Sequence, residues 1–385
     1  MPITNLSSRL EAEREKLGLK LQEVATQMGF PNYQTLRSIE LGEREIKAWE
    51  LSKLARIYHR DFSYFLEGPI NAEVVNPRII WRAQSAKTPL VEQKFLRFIE
   101  NYEKIEKMVC VKKDKFKPIQ WDDKEKNDFY QYPYRKIEDL ALNHQRLLNL
   151  GGRPAYILPK ILEESLTVKI FYWNLGDAGS GASTIHDIFG PAILINAGDS
   201  TWRRHYNIAH EFFHLLTWSI FTDEEIYDKN EGKSKVEQWA DAFASALLMP
   251  SEEIRAKFNK RHTKDGIAFF DLVELSQEFE VSTEALLWRL VNLNILKRTS
   301  VQTALQEGLL QQIDRQKRNE TGKKDIEPDT SPRFINLAIK AFSMGRISKA
   351  KLAEYLEIPF SEASSFLKKR GYDENKDYTR EFSVT

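Results

Sequence analysis

Residues 201–216, TWRRHYNIAHEFFHLL, contain the motif HEFFH at positions 210–214 within an apolar run of helical spacing. Residues four positions apart lie on the same face of a helix, so the imidazoles of His210 and His214 can reach one metal ion. Glu211 follows the first histidine, where its carboxylate can act as a general base on a water molecule. The stretch therefore predicts a metal-binding helix that carries two ligands and one catalytic carboxylate.

A second segment can complete the ligand set. Glu237 and Asp241 are again four positions apart, in the run EQWAD. A zinc site with two histidines and one glutamate takes its third ligand from a separate segment and leaves one coordination position open. We expect Glu237 to be that ligand, and Asp241 to accept the second ring N–H of a ligand histidine. One Zn²⁺ per chain is expected, and Mn²⁺ is the alternative left open.

The competing interpretation of residues 237–247 is an amphipathic helix whose acids only face solvent. The same segment carries a continuous apolar face, which ties the helix to a hydrophobic core and argues against that interpretation. The residues of this face are Trp239, Phe243, Ala246 and Leu247.

The composition describes an ordinary globular chain. A length of 385 residues predicts two to three domains, and the net charge of +1 gives no overall attraction to nucleic acid or acidic lipid. The single cysteine, Cys110, cannot form an internal disulfide, which fits a reducing cytosol. The first residues do not resemble a signal peptide, and no apolar run approaches the roughly 18 residues needed to span a bilayer. We expect a cytoplasmic protein without a membrane partner.

The residue patterns predict a multidomain, mainly α-helical chain with one α+β domain. Five segments follow from them: an all-α domain at 1–68, a connecting region at 69–134, the α+β domain at 135–250, a helical extension at 251–320, and a small helical module at 333–385. The charged stretch at 320–332 is predicted to be a flexible linker. Lysines at 112, 113, 115 and 117 fit a solvated loop, with a phosphate-contacting arm as the alternative.

The N-terminal segment predicts short helices separated by turn glycines. Two short helices joined by a tight turn that contains glycine form the helix-turn-helix pattern. Residues 21–44, LQEVATQMGFPNYQTLRSIELGER, resemble the helix-turn-helix of bacterial and phage repressors, the XRE type. Their turn after Gly29 is one residue longer than in the shortest phage repressors. The expected inner faces comprise Val24, Ala25, Met28, Leu36 and Ile39.

This resemblance implies a double-stranded DNA operator as partner. The base-contact candidates lie on the second helix, with Gln22 near a phosphate on the first. Residues 1–68 contain ten Lys or Arg and ten Asp or Glu, a net charge of zero. We therefore expect weak affinity per protomer, strengthened by a homodimer or by a second domain. The candidates on the second helix are Tyr33, Gln34, Arg37 and Ser38.

Residues 192–216, AILINAGDSTWRRHYNIAHEFFHLL, and 237–250, EQWADAFASALLMP, resemble the ImmA/IrrE family of zinc peptidases. The resemblance covers roughly residues 135–250 and implies a zincin-like fold and a zinc metalloendopeptidase. In such a fold the strand beside the motif helix, here 182–189, is an edge strand that can pair with an extended substrate. His205 and Tyr227 are chemically able to stabilise an oxyanion, and nothing in the sequence chooses between them.

The combined resemblance implies a DNA-binding regulatory zinc metalloprotease. It would cleave a repressor-type or antitoxin-like protein to control transcription, with self-cleavage between residues 69 and 134 as a variant. The alternative is a transcriptional regulator whose peptidase-like domain is a non-cleaving metal or ligand sensor. The presence of Glu211 argues against that alternative, because a sensor needs the ligands but not the base.

The C-terminal module carries a second helix-turn-helix-like pattern at 345–369, and docking onto protein or onto DNA both remain open for it.

Overall fold

The computed structural model describes residues 6–67, 77–82, 89–111, 116–176, 179–228, 233–264, 266–320 and 331–372. The chain divides into two compact units, the first bounded as Met1–Arg78, Ala83–Cys110 and Leu337–Thr385, the second as Ile79–Arg82 and Val111–Asn336. Lys112, Lys113 and Lys115 and most of the predicted linker at 320–332 lie outside the described residues. None of the described helices is long and apolar enough to cross a membrane.

The described part of the first unit is helical. Its helices are α1 (Leu6–Lys16), α2 (Leu21–Met28), α3 (Tyr33–Glu40), α4 (Ala48–Ile57), α5 (Phe62–Glu67), α6 (Pro89–Met108), the later part of α18 (Pro332–Ser343), α19 (Lys349–Tyr355) and α20 (Ala363–Lys369), with a 3-10 turn at Phe360–Glu362.

The turn between α2 and α3 is built from local chemistry. Gly29 ends α2 in the left-handed conformation with φ of 76°, where a side chain would be strained. Asn32 caps α3, because its side-chain oxygen accepts a hydrogen bond from the Thr35 N–H at 3.3 Å. The five residues expected on the inner faces of these two helices are all buried.

A buried ion pair joins α1 to the end of α3. The Arg14 guanidinium donates to both carboxylate oxygens of Glu40, with Nε–Oε1 at 2.8 Å and Nη2–Oε2 at 3.0 Å. Burial raises the pKa of Glu40, and the hydrogen bond from Arg14 opposes that rise. Glu40, a position in the repressor-like pattern, therefore has a structural role inside this unit.

Helix α6 contacts both the N-terminal helices and the C-terminal helices of the first unit. Arg97 donates to the backbone carbonyl of Arg60 at 3.0 Å and pairs with the Glu354 carboxylate of α19 at 3.1 Å. Lys94 pairs with Glu357 at 3.1 Å. The C-terminal module thus makes protein contacts through α19, although the sequence leaves open whether it also contacts DNA.

The second unit combines a small sheet with a larger set of helices. Its strands are β1 (Ile79–Trp81), β2 (Lys169–Trp173), β3 (Gly181–His186) and β4 (Gly190–Asn196). Its helices are α7 (Asp123–Gln131), α8 (Pro133–Leu147), α9 (Pro154–Glu164), α10 (Thr201–Leu216), α11 (Asp223–Tyr227), α12 (Lys235–Leu248), α13 (Ser251–Asn259), α14 (Phe269–Glu278), α15 (Thr283–Asn292), α16 (Arg298–Glu307), α17 (Leu309–Glu320) and the start of α18.

The sheet corrects one expectation about strand β3. The strand order is β1-β3-β4-β2, with β2 and β4 parallel and the other neighbours antiparallel. Strand β1 pairs with β3 in the register Ile80 opposite Ser183 and Trp81 opposite Ala182. The expectation that β3 is an edge strand open to a substrate is therefore wrong, because the chain supplies its own strand at that edge.

Strand β1 is anchored by apolar burial. Ile80 and Trp81 are each about 1% exposed, and Ile80 belongs to the core that also contains Phe212, Phe243 and Leu247. An aromatic side chain buries about 150–250 Å². At about 25 cal/mol per Å² that area contributes at most roughly 4–6 kcal/mol for Trp81 alone. We conclude that β1 is an integral strand of this unit.

Candidate metal centre

Two helices position the motif residues, and local contacts fix where each begins. Arg204, in the first turn of α10, donates to the backbone carbonyl of Ala197 at 3.0 Å. In the preceding turn, the Asn196 amide group donates to the carbonyls of Gly176 and Gly179, both at 2.9 Å. These bonds hold the turn that leads from β4 into α10.

The start of α12 is fixed in a similar way. Ser234 caps α12 by accepting the backbone N–H of Glu237 at 3.2 Å. Glu237 thus lies in the first turn and Asp241 one turn later. Trp239 and Phe243 are buried, as expected of a helix that is tied to a core.

Three potential ligand atoms converge between the two helices. His210 Nε2 lies 3.3 Å from His214 Nε2 and 3.3 Å from Glu237 Oε2, and His214 Nε2 lies 2.9 Å from Glu237 Oε1. Metal–ligand distances of about 2.0–2.1 Å in a tetrahedral site place neighbouring ligand atoms about 3.3 Å apart. The structure therefore brings together a group of donor atoms with the size and chemistry of a divalent metal site.

The charge state of Glu237 agrees with this arrangement. Burial by itself raises the pKa of the Glu237 carboxyl, but the His210 and His214 imidazoles outweigh it and hold that pKa well below its usual range. The carboxyl is thus held in its ionised form, which is the form that binds metal.

Asp241 orients one of the two histidines. Its Oδ1 lies 2.8 Å from His210 Nδ1, the ring nitrogen that points away from the cluster. Burial raises the pKa of Asp241, while the hydrogen bond to His210 and the charge of Arg82 more than reverse that effect. An ionised Asp241 accepts an N–H from Nδ1 and so leaves the Nε2 lone pair of His210 free for a metal ion.

Glu211 is fully buried beside the cluster. Among the described residues, neither carboxylate oxygen has a hydrogen-bond partner of ordinary geometry, and the neighbouring Ser183 hydroxyl is the one polar side chain that acts on it through a hydrogen bond. Burial raises the pKa of Glu211 to about 7, an effect that His214 opposes and Glu237 reinforces. A buried carboxylate that the protein holds so loosely is suited to a water or a substrate group as partner, which is what a general base requires.

Gly181 on β3 makes room for Glu211. A Cβ atom at this position would lie 2.9 Å from the Leu194 carbonyl oxygen and 3.3 Å from Glu211 Oε1. The first contact is with backbone that cannot move cheaply, and the second would push the carboxylate aside.

We expect Gly181→Ala to lower the free energy of unfolding by about 1–3 kcal/mol, because the added methyl overpacks the strand against β4. Urea unfolding checks this, with Gly152→Ala as the matched control because a Cβ at Gly152 meets no atom within 4 Å. Equal stability of Gly181→Ala and the wild type would show that β3 and β4 can move apart at this point.

The two oxyanion candidates have different surroundings. The Tyr227 hydroxyl accepts the Trp81 N–H at 2.9 Å and lies 3.4 Å from the Ile79 carbonyl, so it binds the outer edge of β1. His205 faces Glu280 at 3.2 Å instead. Burial raises the pKa of Tyr227, the hydrogen bond with the Trp81 N–H opposes that rise, and the charges of Asp223, Glu211 and Glu237 add to it.

The candidate DNA contacts lie in the first unit. Gln22, Tyr33, Gln34 and Arg37 are exposed. Ser38 is half-buried, and its hydroxyl donates to the Thr35 carbonyl of its own helix at 3.1 Å.

One residue at the metal centre was missed by sequence reasoning. Arg82 directly follows β1, within the region 69–134 for which no helix or strand was predicted. Its side chain donates to Asp241 Oδ1 at 3.1 Å. Its only sequence signal was its place after the apolar run Ile79-Ile80-Trp81.

Comparison with known proteins agrees with the geometry of this centre. None of the curated proteins compared with the chain matches it. Residues 163–291, about one third of the chain, match the family model of the IrrE N-terminal-like domain, Peptidase_M78. The match spans β2 to β4, α10 and α12, and it ends within α15. It supports the ImmA/IrrE peptidase part of the sequence prediction, and with it a metallopeptidase that uses a divalent metal ion.

Proposed function

We propose that this protein is a DNA-binding regulatory zinc metalloprotease that cleaves a repressor-type or antitoxin-like protein to control transcription. The observation that carries the proposal is the buried cluster of His210, His214 and Glu237 with the fully buried Glu211 carboxylate beside it. Two histidines, one carboxylate and an adjacent base are the composition of a hydrolytic zinc site.

The residues have distinct roles in the proposed reaction. His210, His214 and Glu237 would hold Zn²⁺, with Mn²⁺ as the alternative, and such an ion supplies Lewis acidity that polarises a peptide carbonyl and acidifies water. Glu211 takes the proton from the attacking water and passes it to the leaving amine. Asp241 keeps His210 in the tautomer that binds metal. Tyr227 and His205 are the two candidate donors for the developing oxyanion.

The alternative of a non-cleaving sensor does not explain the buried Glu211. A protein that only binds metal or ligand needs the three ligand side chains and gains nothing from a further, fully buried carboxylate beside them. Burying such a group opposes folding unless another role offsets it. The burial of Glu211 therefore favours cleavage over sensing.

The repressor-like helices suggest why a peptidase would be tethered to DNA. Exposed Tyr33, Gln34 and Arg37 are available on α3 for a major groove. A tethered DNA-binding unit raises the local concentration of the peptidase near a DNA-bound partner, to the millimolar range for a short linker. The partners in this model are a double-stranded operator and a repressor-type substrate. A homodimer or a second domain would strengthen the weak DNA contact of one protomer.

The test of cleavage is incubation of the purified full chain with zinc and candidate repressor proteins, followed by mass analysis of the fragments. Wild type is expected to cut a partner, or itself between residues 69 and 134, at a defined bond. A Glu211→Gln chain is the matched inactive control. A wild-type chain with bound zinc that leaves every candidate and itself intact would favour the sensor alternative.

The DNA-binding part has a separate test. Within the described residues, no acid pairs with the exposed Arg37 side chain. We expect Arg37→Ala to weaken binding to a selected operator by roughly 1–3 kcal/mol if the side chain contacts a base edge. Binding is measured at fixed salt concentration, with the exposed Arg56→Ala as control. An equal loss on random DNA would indicate a phosphate contact, and a selection that enriches no sequence would contradict operator recognition.

A further inference from the structure

We infer that Arg82 is a positioning residue of the metal centre: its guanidinium fixes the Asp241 carboxylate that orients His210. This inference rests on the proposed metal site and names a part of it that lies outside the segment matching the family model. Arg82 comes from the short segment at 77–82, far from the motif helices in sequence.

The contacts of Arg82 form a fork. Nη2 donates to Asp241 Oδ1 at 3.1 Å, the same oxygen that faces His210 Nδ1 at 2.8 Å, and Nη1 donates to Asn207 Oδ1 on α10. Asn207 in turn donates to Asp199 Oδ2 at 3.0 Å. A planar guanidinium holds two acceptors in one fixed geometry, which a single point charge cannot do. A continuous series of hydrogen bonds therefore links Asp199, in the turn before α10, through Asn207, Arg82 and Asp241 to the potential metal ligand His210.

Strand β1 fixes the position of the Arg82 backbone. The Arg82 backbone N–H donates to the Gly181 carbonyl at 3.1 Å, and the preceding Ile80 and Trp81 are buried. Side chains alternate along a strand, so Arg82 lies on the same face as the core residue Ile80. The guanidinium is thus delivered to Asp241 by a strand that is held at both its backbone and its side chains.

Lys233 also pairs with Asp241, through Oδ2. Comparing variants of Lys233 and Arg82 therefore distinguishes an effect of positive charge from an effect of carboxylate orientation. Its side chain is 41% exposed, against 18% for Arg82. If Arg82 acted by positive charge alone, removing either cation would have a similar effect. If it acts by orienting the carboxylate, Arg82→Ala should have the larger effect.

The experiment is a double-mutant cycle in the full chain, read as zinc affinity by chelator competition. Loss of a residue that supports a ligand typically weakens metal binding about 10- to 100-fold, which is expected for Asp241→Ala. Arg82 acts one step further out, so we expect about 3- to 10-fold for Arg82→Ala and a smaller loss for Arg82→Lys and for Lys233→Ala. In the Asp241→Ala background, Arg82→Ala should change the affinity by less than about twofold. The exposed Arg135→Ala is the control for loss of an arginine and should match the wild type.

A second measurement keeps the inference separate from the proposed function. Long-range ¹⁵N–¹H spectra of the metal-free chain report the tautomer of His210. Wild type should carry the proton on Nδ1, whereas Arg82→Ala and Asp241→Ala should show a mixture. Zinc affinity and tautomer both unchanged in Arg82→Ala would overturn the inference, as would an equal zinc loss with and without Asp241. A wild-type chain that binds no zinc, yet shows the tautomer change, would instead remove the proposed metalloprotease function and leave Arg82 as the residue that positions Asp241.

Discussion

Glu211→Gln is expected to keep the bound metal and to lose cleavage, with a fall in rate of about 10²- to 10⁴-fold. The amide has nearly the shape of the carboxylate, so it fits the same buried space beside Gly181 and His214. It cannot accept a proton from the attacking water. The measurement is the single-turnover rate on the partner that the wild type cleaves, together with zinc content.

Two controls separate this loss from a structural effect. The thermal midpoint of Glu211→Gln should be at or above that of the wild type, because a neutral amide is cheaper to bury than a carboxylate. Gln145→Glu, on α8, makes the reverse substitution at a side chain whose hydrogen bond, within the described residues, is to the Gly151 carbonyl, and it should leave the rate unchanged. If Glu211→Gln cleaves as fast as the wild type with zinc bound, Glu211 is not the base.

The sequence was most informative where a spacing rule acts within one helix. The positions of His210, His214, Glu237 and Asp241 follow from the four-residue repeat of two helices, and the structure brings all four side chains together. Helix caps are local in the same sense: Ser282 accepts the Ala285 N–H at 3.1 Å, the bond that a serine at the start of a helix favours. Periodicity and capping are local properties, so they can be inferred without knowledge of the fold.

The sequence was least informative about pairings between distant segments. Nothing in Ile79-Ile80-Trp81 indicates that it pairs with a strand about a hundred residues later, because a three-residue apolar run fits many structures. The error about the edge strand followed directly from this. Arg82 was missed for the same reason. Its role depends on the pairing of β1 with β3, and the partner of a strand is set by tertiary packing. The 20-residue α6 was also passed over, within a region assigned as a connection.

His214→Ala is expected to remove most of the metal binding. The wild type should carry about one ion per chain, because the three donor atoms of the cluster form a single site. Apparent zinc-binding free energies of about 10–16 kcal/mol for four-ligand sites divide into roughly 2.5–4 kcal/mol per ligand, so losing one ligand should weaken the affinity about 10²- to 10³-fold. Metal analysis after dialysis and chelator competition measure the effect, with Zn²⁺ and Mn²⁺ offered together to identify the preferred ion.

His262→Ala is the matched control, because His262 is exposed and stacks on Phe258 away from the cluster. It should bind metal like the wild type. Glu237→Ala should resemble His214→Ala, since each removes one of three converging donors. In the double variant of His214→Ala and Glu237→Ala, the loss of binding free energy should be smaller than the sum of the two single losses, because a site with one remaining ligand has little affinity left to lose. Unchanged stoichiometry and affinity in His214→Ala would remove His214 from the site, and a zinc hydrolase would then need a ligand from elsewhere in the chain.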